Sequence, residues 1–152
     1  RRLLNENCTL NDNDLALKIK VDSPIKLNYV NEAVVEEFNR LEPFGKGNPS
    51  PVLGALKVRV KEVRFLGAEE QHVKLKFYLE ETFKTVDGIF FNGKERVEEI
   101  FISAYGDDYR SHMMAPENLF VDVLFQPDIN EFNGRRSVQL KIKDIRESKV
   151  KR

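Results

Sequence analysis

The sequence predicts a mainly β protein, α+β overall, in which a five-stranded Greek-key barrel follows a small strand and helix. Three observations support this class. From residue 52 onward most hydrophobic residues alternate with polar ones, which is the period of half-buried strands. Helical spacing occurs mainly in two short segments, residues 30–41 and 97–101. The chain of 152 residues, 41% hydrophobic and 33% charged, has the length and composition of about one globular domain.

Charge and composition exclude several classes of protein. The 25 basic and 25 acidic side chains cancel, which argues against a uniformly basic nucleic-acid binder, but residues 94–131 are acidic and residues 133–152 are basic. Cys8 is the single cysteine, so a disulfide within the chain is excluded. Without a long apolar run or a signal peptide, we expect no membrane partner and a cytoplasmic location. Because the chain begins with Arg1 and not Met, we interpret it as a fragment.

The first 51 residues predict a strand, a helix and a linker. The strand is predicted from four hydrophobic residues that alternate with other residues: Leu15, Leu17, Ile19 and Val21. The helix is predicted from hydrophobic residues at helical spacing: Val30, Val34, Val35, Phe38 and Leu41. Asn31 is its expected N-cap, and Pro43 ends it because a residue before proline avoids the α conformation.

Three strands, a short helix and two further strands are predicted next. The first strand runs from Leu56 to Phe65, with a phase slip at Glu62 that indicates a β-bulge. The second runs from Val73 to Leu79 and the third from Thr85 to Phe91, where Asn92-Gly93 closes it. Helical spacing of Val97, Ile100 and Phe101 predicts the helix, and residues 103–116 look irregular. Leu119 to Phe125 predicts a central strand, and Val138 to Ile142 the last one.

This order is that of an OB-fold, a Greek-key barrel that binds oligonucleotides across its second and third strands and across two loops. We therefore expect an OB-fold nucleic-acid-binding domain at residues 52–146, preceded by residues 1–51 and followed by a basic tail at residues 147–152.

The first candidate site is the glycine- and proline-rich junction after the helix, which contains Pro43, Phe44, Gly45, Gly47, Asn48 and Pro49. Glycines permit positive φ, so their amides could cradle a phosphate. The alternative is a rigid junction between helix and barrel, with Phe44 packed into the interface.

The second candidate is a basic strand face. His72, Lys74, Lys76 and Tyr78 lie on one side of the second barrel strand, and Lys57, Arg59 and Lys61 on one side of the first. Cations beside an aromatic ring are typical of single-strand binders. The alternative is an ordinary solvated face, which every half-buried strand has.

The third candidate is the connection between the last two strands, where Asn133-Gly134 predicts a hairpin turn. Phe132 could stack on a base while Arg135 and Arg136 hold phosphates. Asn133 and the lysines of the last strand, Lys141 and Lys143, complete the predicted nucleic-acid-binding set. The alternative is a plain hairpin with two exposed arginines.

Catalytic and metal sites have little support. His72 and His112 lack zinc-ligand spacing, and the Asp12-x-Asp14 pattern lacks the glycine and glutamate of a calcium loop. Cys8 and the Asp107-Asp108 pair show no partner arrangement for catalysis. We predict no catalytic residue and no bound metal or cofactor in this chain.

Four stretches nevertheless resemble the C-terminal part of the bacterial single-stranded-DNA-specific exonucleases of the RecJ family. The specific ones are the junction, residues 41–49, and the hairpin, residues 130–140. Residues 72–75 and 87–92 add order and spacing. The resemblance covers nearly the whole chain: residues 1–51 resemble the end of the family's DHH-associated domain, and the rest its OB domain.

The resemblance implies a parent enzyme that digests single-stranded DNA from the 5′ end in recombination and repair, with Mn²⁺ or Mg²⁺ held in an N-terminal core. It implies that this chain binds single-stranded DNA beside that core, without nuclease activity of its own. The alternative is a protein-interaction module that docks the nuclease core or a single-strand-binding protein. A self-sufficient metallohydrolase is nearly excluded by the missing ligands.

Overall fold

The computed structural model describes residues 19–149. This part of the chain is mainly β, as the sequence predicts. In chain order its elements are β1 (Ser23–Pro24), a 3₁₀ turn (Leu27–Tyr29), α1 (Glu32–Asn39), β2 (Leu53–Leu66), β3 (His72–Leu79), β4 (Lys84–Phe90), α2 (Lys94–Tyr105), a second 3₁₀ turn (Gly106–Asp108), α3 (Tyr109–His112), β5 (Phe120–Phe132) and β6 (Arg135–Glu147).

The five longer strands pair in a closed ring. Strand β2 pairs antiparallel with β3 along its second half and with β5 along its first half. Strands β3 and β4 are antiparallel, β4 and β6 are parallel, and β6 returns antiparallel to β5. Strand β5 is therefore central, as its apolar sequence predicts. The closed ring leaves no free edge along β2 or β5 where they pair.

Strand β2 can join two neighbours because it bends at two register shifts. The shift between Val60 and Glu62 confirms the bulge predicted from the sequence. A second shift, between Ala55 and Val58, was not predicted. There Lys57 has a φ of 52°, and Leu56, which the alternation places inward, is 69% exposed. The alternation predicts that the Leu56 side chain points into the core. This is wrong because the additional residue of a bulge reverses which residues of the strand face the core.

The core fills the ring and is closed at one end by α2. Its fully buried large side chains include Phe77, Phe125 and Leu140 from three strands and Phe101 from α2. Residues 103–112, predicted to be irregular, are mostly helical: α2 continues to Tyr105 and short helical turns follow. The prediction was wrong because tertiary contacts extend the helix. The Tyr105 ring packs on the core, and its hydroxyl donates to the Glu117 carbonyl at 2.7 Å.

Helix α1 has the ends predicted for it. The Asn31 side chain accepts a hydrogen bond from the Val34 amide at 3.0 Å, and the helix ends at Asn39, before Pro43. Val35 is fully buried, and α1 lies against β5 and β6. The helix therefore brings its acidic outer face close to the β5–β6 hairpin.

The segment before α1 is joined to β2 by main-chain hydrogen bonds. The Asp22 and Ile25 amides donate to the Val52 and Gly54 carbonyls, both at 2.8 Å.

Of the strand predicted from Leu15 to Val21, residues 15–18 lie outside the described residues and 19–21 are not in a strand. The division of the chain into residues 1–51 and a domain at residues 52–146 stays a prediction. The basic tail at residues 147–152 also stays a prediction, and residues 150–152 lie outside the described residues. None of the helices between residues 19 and 149 is long and apolar enough to span a membrane.

Candidate nucleic-acid interface

The outer face of β3 is the centre of the candidate interface. Its side chains alternate as predicted: His72, Lys74, Lys76 and Tyr78 point outward and are half-buried, while Val73, Leu75 and Phe77 are buried in the core. The face continues onto β4, where Asp87 lies opposite Lys76 and Ile89 opposite Lys74.

Carboxylates from neighbouring strands neutralise the lysines of this face. The Lys74 Nζ lies 2.8 Å from Asp87 Oδ2, and the Lys76 Nζ lies 3.4 Å from Glu62 Oε2. Glu62 also accepts a hydrogen bond from Arg64. The face is thus an ion-pair network and not a purely basic surface, which the alternation within one strand could not reveal.

Glu62 is the most enclosed carboxylate of this network, with 17% of its side chain exposed. Burial by itself raises the pKa of the carboxyl, but the hydrogen bond from Arg64 and the charges of Lys76 and Arg64 outweigh it, so the pKa lies below its ordinary value. Glu62 is therefore ionised near neutral pH and competes with any phosphate for these two cations.

An aromatic pair ends the face at the start of β3. The His72 Nδ1 accepts a hydrogen bond from the Asn92 amide at 3.1 Å, which fixes the ring. The Phe91 ring stands edge-on to it, with centroids 5.3 Å apart, and is 61% exposed. Phe91 was not among the residues predicted to bind nucleic acid. Its position two residues after Ile89, on the same side of an alternating strand, could have identified it.

The first-strand residues of the predicted set lie beside the other end of β3. Arg59 pairs in register with Tyr78, and its guanidinium carbon lies 5.8 Å from the centre of the Tyr78 ring. Lys57 lies over Phe120 of β5, with 6.0 Å between Nζ and the ring centroid. The structure therefore places Lys57 and Arg59 next to two rings.

The hairpin predicted at Asn133-Gly134 is confirmed. Strands β5 and β6 stay paired up to Phe132 and Arg135, so the connection is a two-residue turn. Asn133 and Gly134 have φ values of 51° and 73°, and the type I′ turn favoured in such hairpins needs positive φ at both positions. Phe132 is 71% exposed at the tip, where its ring is open to solvent.

The two hairpin arginines have different surroundings. Arg136 donates to Glu36 of α1, with 2.8 Å between Nη2 and Oε1, and its Nε lies 4.0 Å from Glu32. The hydrogen bond from Arg136 to Glu36 raises the pKa of its guanidinium. Arg135 is exposed and pairs with none of the carboxylates between residues 19 and 149. Arg136 thus links the hairpin to α1, and Arg135 remains available.

Strand β6 carries the last two residues of the predicted set. Lys141 lies beside Ile89 of β4, and its Nζ is 2.7 Å from Asp128 Oδ2. Lys143 is exposed farther along β6. Lys141 therefore continues the β3–β4 face and, like Lys74 and Lys76, is paired with a carboxylate.

The glycine-rich junction is a closed turn. The Gly45 amide donates to the Asn48 carbonyl at 2.8 Å, and the Asn48 amide donates to the Gly45 carbonyl at 3.1 Å. The Asn48 side chain donates to the Leu41 and Pro43 carbonyls at 2.8 and 3.2 Å. Gly45 and Gly47 do not have positive φ, and a Cβ on either would meet no atom within 4 Å.

This geometry leaves few amides in the turn for a phosphate, since Gly45 and Asn48 use theirs internally. Phe44 is half-buried, and Pro49 follows the turn exposed. The cradle and junction interpretations both stay predictions, with the internal hydrogen bonds favouring the junction. Across residues 19–149, His, Cys, Asp and Glu do not form a group of three or more that could hold a metal ion.

Comparison with known proteins identifies a family for this chain. The family model described as the RecJ OB domain matches residues 21–144. The single-stranded-DNA-specific exonuclease RecJ of Bacillus subtilis (strain 168) is 29% identical over 146 residues, which cover 95% of this chain and 16% of that protein. The chain therefore spans about a sixth of the length of this relative.

Solved structures of similar proteins include RecJ from Thermus thermophilus in complex with Mg²⁺ and with Mn²⁺. The first aligns with a TM-score of 0.44 and 23% identity over 74% of this chain and 14% of that chain. The second aligns with a TM-score of 0.42 and 21% identity over 75% of this chain and 14% of that chain.

Proposed function

Because the chain belongs to the RecJ OB domain family, we propose that it binds single-stranded DNA for a RecJ-type exonuclease whose catalytic core lies outside this chain. The parent would digest single strands from the 5′ end during recombination and repair in the bacterial cytoplasm. In this proposal the closed ring of five strands is the OB-fold Greek-key barrel. Strands β3 and β4 are then its second and third strands, and the β5–β6 hairpin is its last loop.

The observation that carries the proposal is that the β3–β4 face and the β5–β6 hairpin bear both components that single-strand binding needs. Exposed rings at Phe91 and Phe132 offer stacking faces for bases. Cations on β3 and β6 and at the hairpin are exposed or half-buried and can contact phosphates. Stacking tolerates any base sequence, so we expect binding without strong sequence preference.

The ion pairs of the β3–β4 face determine how tightly it is expected to bind single-stranded DNA. A phosphate that contacts Lys74 must compete with Asp87, and one that contacts Lys76 must compete with Glu62. Opposite charges within the network therefore weaken each phosphate contact without blocking the rings. We expect moderate affinity that depends on salt and on the aromatic residues.

The proposal is tested by titrating the whole chain into labelled single-stranded and duplex oligonucleotides at several salt concentrations. Binding should be tighter for the single strand, and log K should fall with log salt with a slope of roughly −0.7 per phosphate contacted. Equal binding of duplex and single strand, or no binding at low salt, would refute the proposal.

In this proposal the residues that hold the metal ion lie in the catalytic core, outside this chain. The resemblance implies Mn²⁺ or Mg²⁺ for the parent enzyme, yet the donor set between residues 19 and 149 does not fit such a site. We therefore expect the isolated chain to leave single strands intact in buffers that contain either ion.

A second function, docking of the nuclease core or a single-strand-binding protein, is favoured by one feature. An apolar groove of about 340 Å³ lies where β1, β2, β5 and β6 meet, and exposed Leu56 lines it together with Val21, Leu124 and Ile145. If a substitution in this groove abolishes binding of the nuclease core or a single-strand-binding protein but leaves binding of single-stranded DNA unchanged, the groove is the docking surface.

A further inference from the structure

Three cations on β2 differ from those of the β3–β4 face in having no ion-pair partner. Among the described residues, Lys57, Arg59 and Lys61 are exposed and lie within ion-pair distance of no carboxylate. Lys74 and Lys76 on the neighbouring strand are both paired. A polyanion would therefore displace no ion pair at these three cations; the acidic side chains that line the adjoining cavities are Glu80, Glu81 and Glu117.

Two aromatic rings flank these cations. Arg59 is in register with Tyr78 on one side and with Phe120 on the other, because β2 pairs with both β3 and β5 at this point. The guanidinium carbon lies 5.8 Å from the Tyr78 centroid, and Lys57 Nζ lies 6.0 Å from the Phe120 centroid. Both rings are half-buried, so each keeps part of its surface open to solvent.

A groove runs beside Arg59, Lys61 and Tyr78. It has a volume of about 570 Å³ and is lined by Arg59, Lys61 and Tyr78 together with the connection between α3 and β5, residues 115–118. Small-molecule sites commonly occupy roughly 300 to 1,000 Å³. The groove is therefore large enough for a nucleotide, and its one carboxylate is Glu117.

The second bulge of β2 fixes the position of Lys57. The Lys57 amide donates to Asp122 Oδ1 at 3.0 Å, and Arg146 donates to Asp122 Oδ2 at 2.9 Å. The Asp122 side chain is only 15% exposed. The bulge is therefore fixed by a largely buried carboxylate, which presents Lys57 outward before any ligand arrives.

We propose that Lys57, Arg59 and Lys61, with Tyr78 and Phe120, form a second nucleotide-binding site for single-stranded DNA beside the β3–β4 face. The cations hold adjacent phosphates, and a base stacks in the groove on Tyr78. This rests on the proposed function and extends it to the bulged part of β2. An acidic peptide would satisfy the cations as well, but it would leave the ring faces without a planar partner, so nucleic acid is the better match.

The experiment compares the salt dependence of single-strand binding for three proteins, each as the whole chain. The test variant is Lys57→Gln/Arg59→Gln/Lys61→Gln, and the matched control, Lys20→Gln/Arg40→Gln/Lys149→Gln, removes the same charge from exposed positions outside the candidate sites. All six side chains are exposed, so both variants should fold, which circular dichroism checks. The test variant should lose about 2 from the magnitude of the slope, at roughly 0.7 per phosphate contact, relative to the control.

A further variant, Tyr78→Leu, removes the ring and keeps an apolar side chain. Its affinity should fall about 5- to 150-fold, the range for loss of one stacked base, while the salt slope stays unchanged.

Equal slopes for the test and control variants would overturn the second site, and so would wild-type affinity in Tyr78→Leu. Failure of the unmodified chain to bind any single strand would instead overturn the proposed function. If a poly-glutamate peptide binds the chain, and only that binding is lost in the test variant, the cluster is a protein-docking site and the proposal is wrong.

Discussion

At the scale of single residues, adjacent side chains of the same type have different roles. Arg135 and Arg136 are neighbours at the hairpin, yet only Arg136 contacts the carboxylates of α1. Glu36, its partner, is 100 residues away in the sequence, so no local pattern could predict the pair. The sequence correctly placed both arginines at the hairpin but could not tell which one pairs with a carboxylate.

We therefore predict unequal effects of the two arginines. Arg135→Ala should reduce the magnitude of the salt slope of single-strand binding by about 0.7, the value for one phosphate contact. Arg136→Ala should reduce it less, because Arg136 must leave Glu36 to reach a phosphate. Phe132→Ala should weaken binding and leave the slope unchanged, because stacking releases no counterions. Equal losses for both arginines would contradict the assignment of Arg136 to α1.

Removal of a single carboxylate should strengthen binding. Glu62→Gln frees Lys76 and Arg64 from their anionic partner, so single-strand affinity should rise several-fold and the salt slope should steepen by up to about 1.4, or 0.7 for each freed cation. Glu95→Gln, an exposed carboxylate of α2, removes the same charge as a control. If both variants gain affinity equally, the effect comes from net charge and not from the face.

At the scale of elements, the hydrophobic pattern predicted the long strands and one bulge, but not what lies opposite each strand. The first bulge of β2 was visible because it shifts the phase of β2 itself. The second depends on Asp122, which is 65 residues from Lys57, so it has no local signature. The ion pairs on β3 were missed for the same reason, since Glu62 and Asp87 come from neighbouring strands.

The Asp122 contact predicts how stability depends on pH. Burial alone raises the pKa of this carboxyl, but hydrogen bonds from Lys57, Ser148 and Arg146 outweigh it, so the folded pKa lies below the ordinary value. The resulting stabilisation is complete above the unfolded pKa, about 3.9, and is lost as the pH falls through the folded pKa. The free energy of unfolding should therefore decrease on acidification below about pH 4.

Urea denaturation at a series of pH values measures this. Asp122→Ala should cost about 1.5 to 3 kcal/mol at neutral pH, the range for a hydrogen bond to a charged group. Asp122→Asn keeps an oxygen acceptor for the Lys57 amide but does not titrate, so its unfolding free energy should vary less with pH. Asp107→Asn, at an exposed position, serves as the control. An unchanged pH dependence in Asp122→Asn would show that the carboxylate does not stabilise the bulge.

The junction turn predicts a contrast between its asparagine and its glycines. Asn48→Ala removes the donor to two carbonyls, and we expect a loss of about 1 kcal/mol in the free energy of unfolding. Gly45→Ala and Gly47→Ala should change it by less than that, since neither glycine has positive φ and an added Cβ meets no neighbour. Thermal melting checks this. Loss of DNA binding at full stability in a glycine variant would support the phosphate cradle instead.

At the scale of the whole molecule, the closed ring of strands exposes surfaces of different character. The β3–β4 face carries cations paired with carboxylates, the hairpin carries one paired and one unpaired arginine beside Phe132, the bulged part of β2 carries cations without an ion pair among the described residues, and the groove at Leu56 is mainly apolar. The order of strands along the chain and the outward-facing positions of β3 were predictable from alternation and turn residues. The division of the cations into paired and unpaired sets was not, because it depends on how five strands close into one ring.

The central claim is that single-stranded DNA lies on the rings and cations of the β3–β4 face and the hairpin, and it is tested most directly by NMR titration of the isotope-labelled chain with an unlabelled single strand. The claim predicts that amide shift changes concentrate on β3, β4, the β5–β6 hairpin and the bulged part of β2. Shift changes confined to α2, α3 or the groove residues Val21, Leu124 and Ile145, or their absence at saturating oligonucleotide, would contradict it.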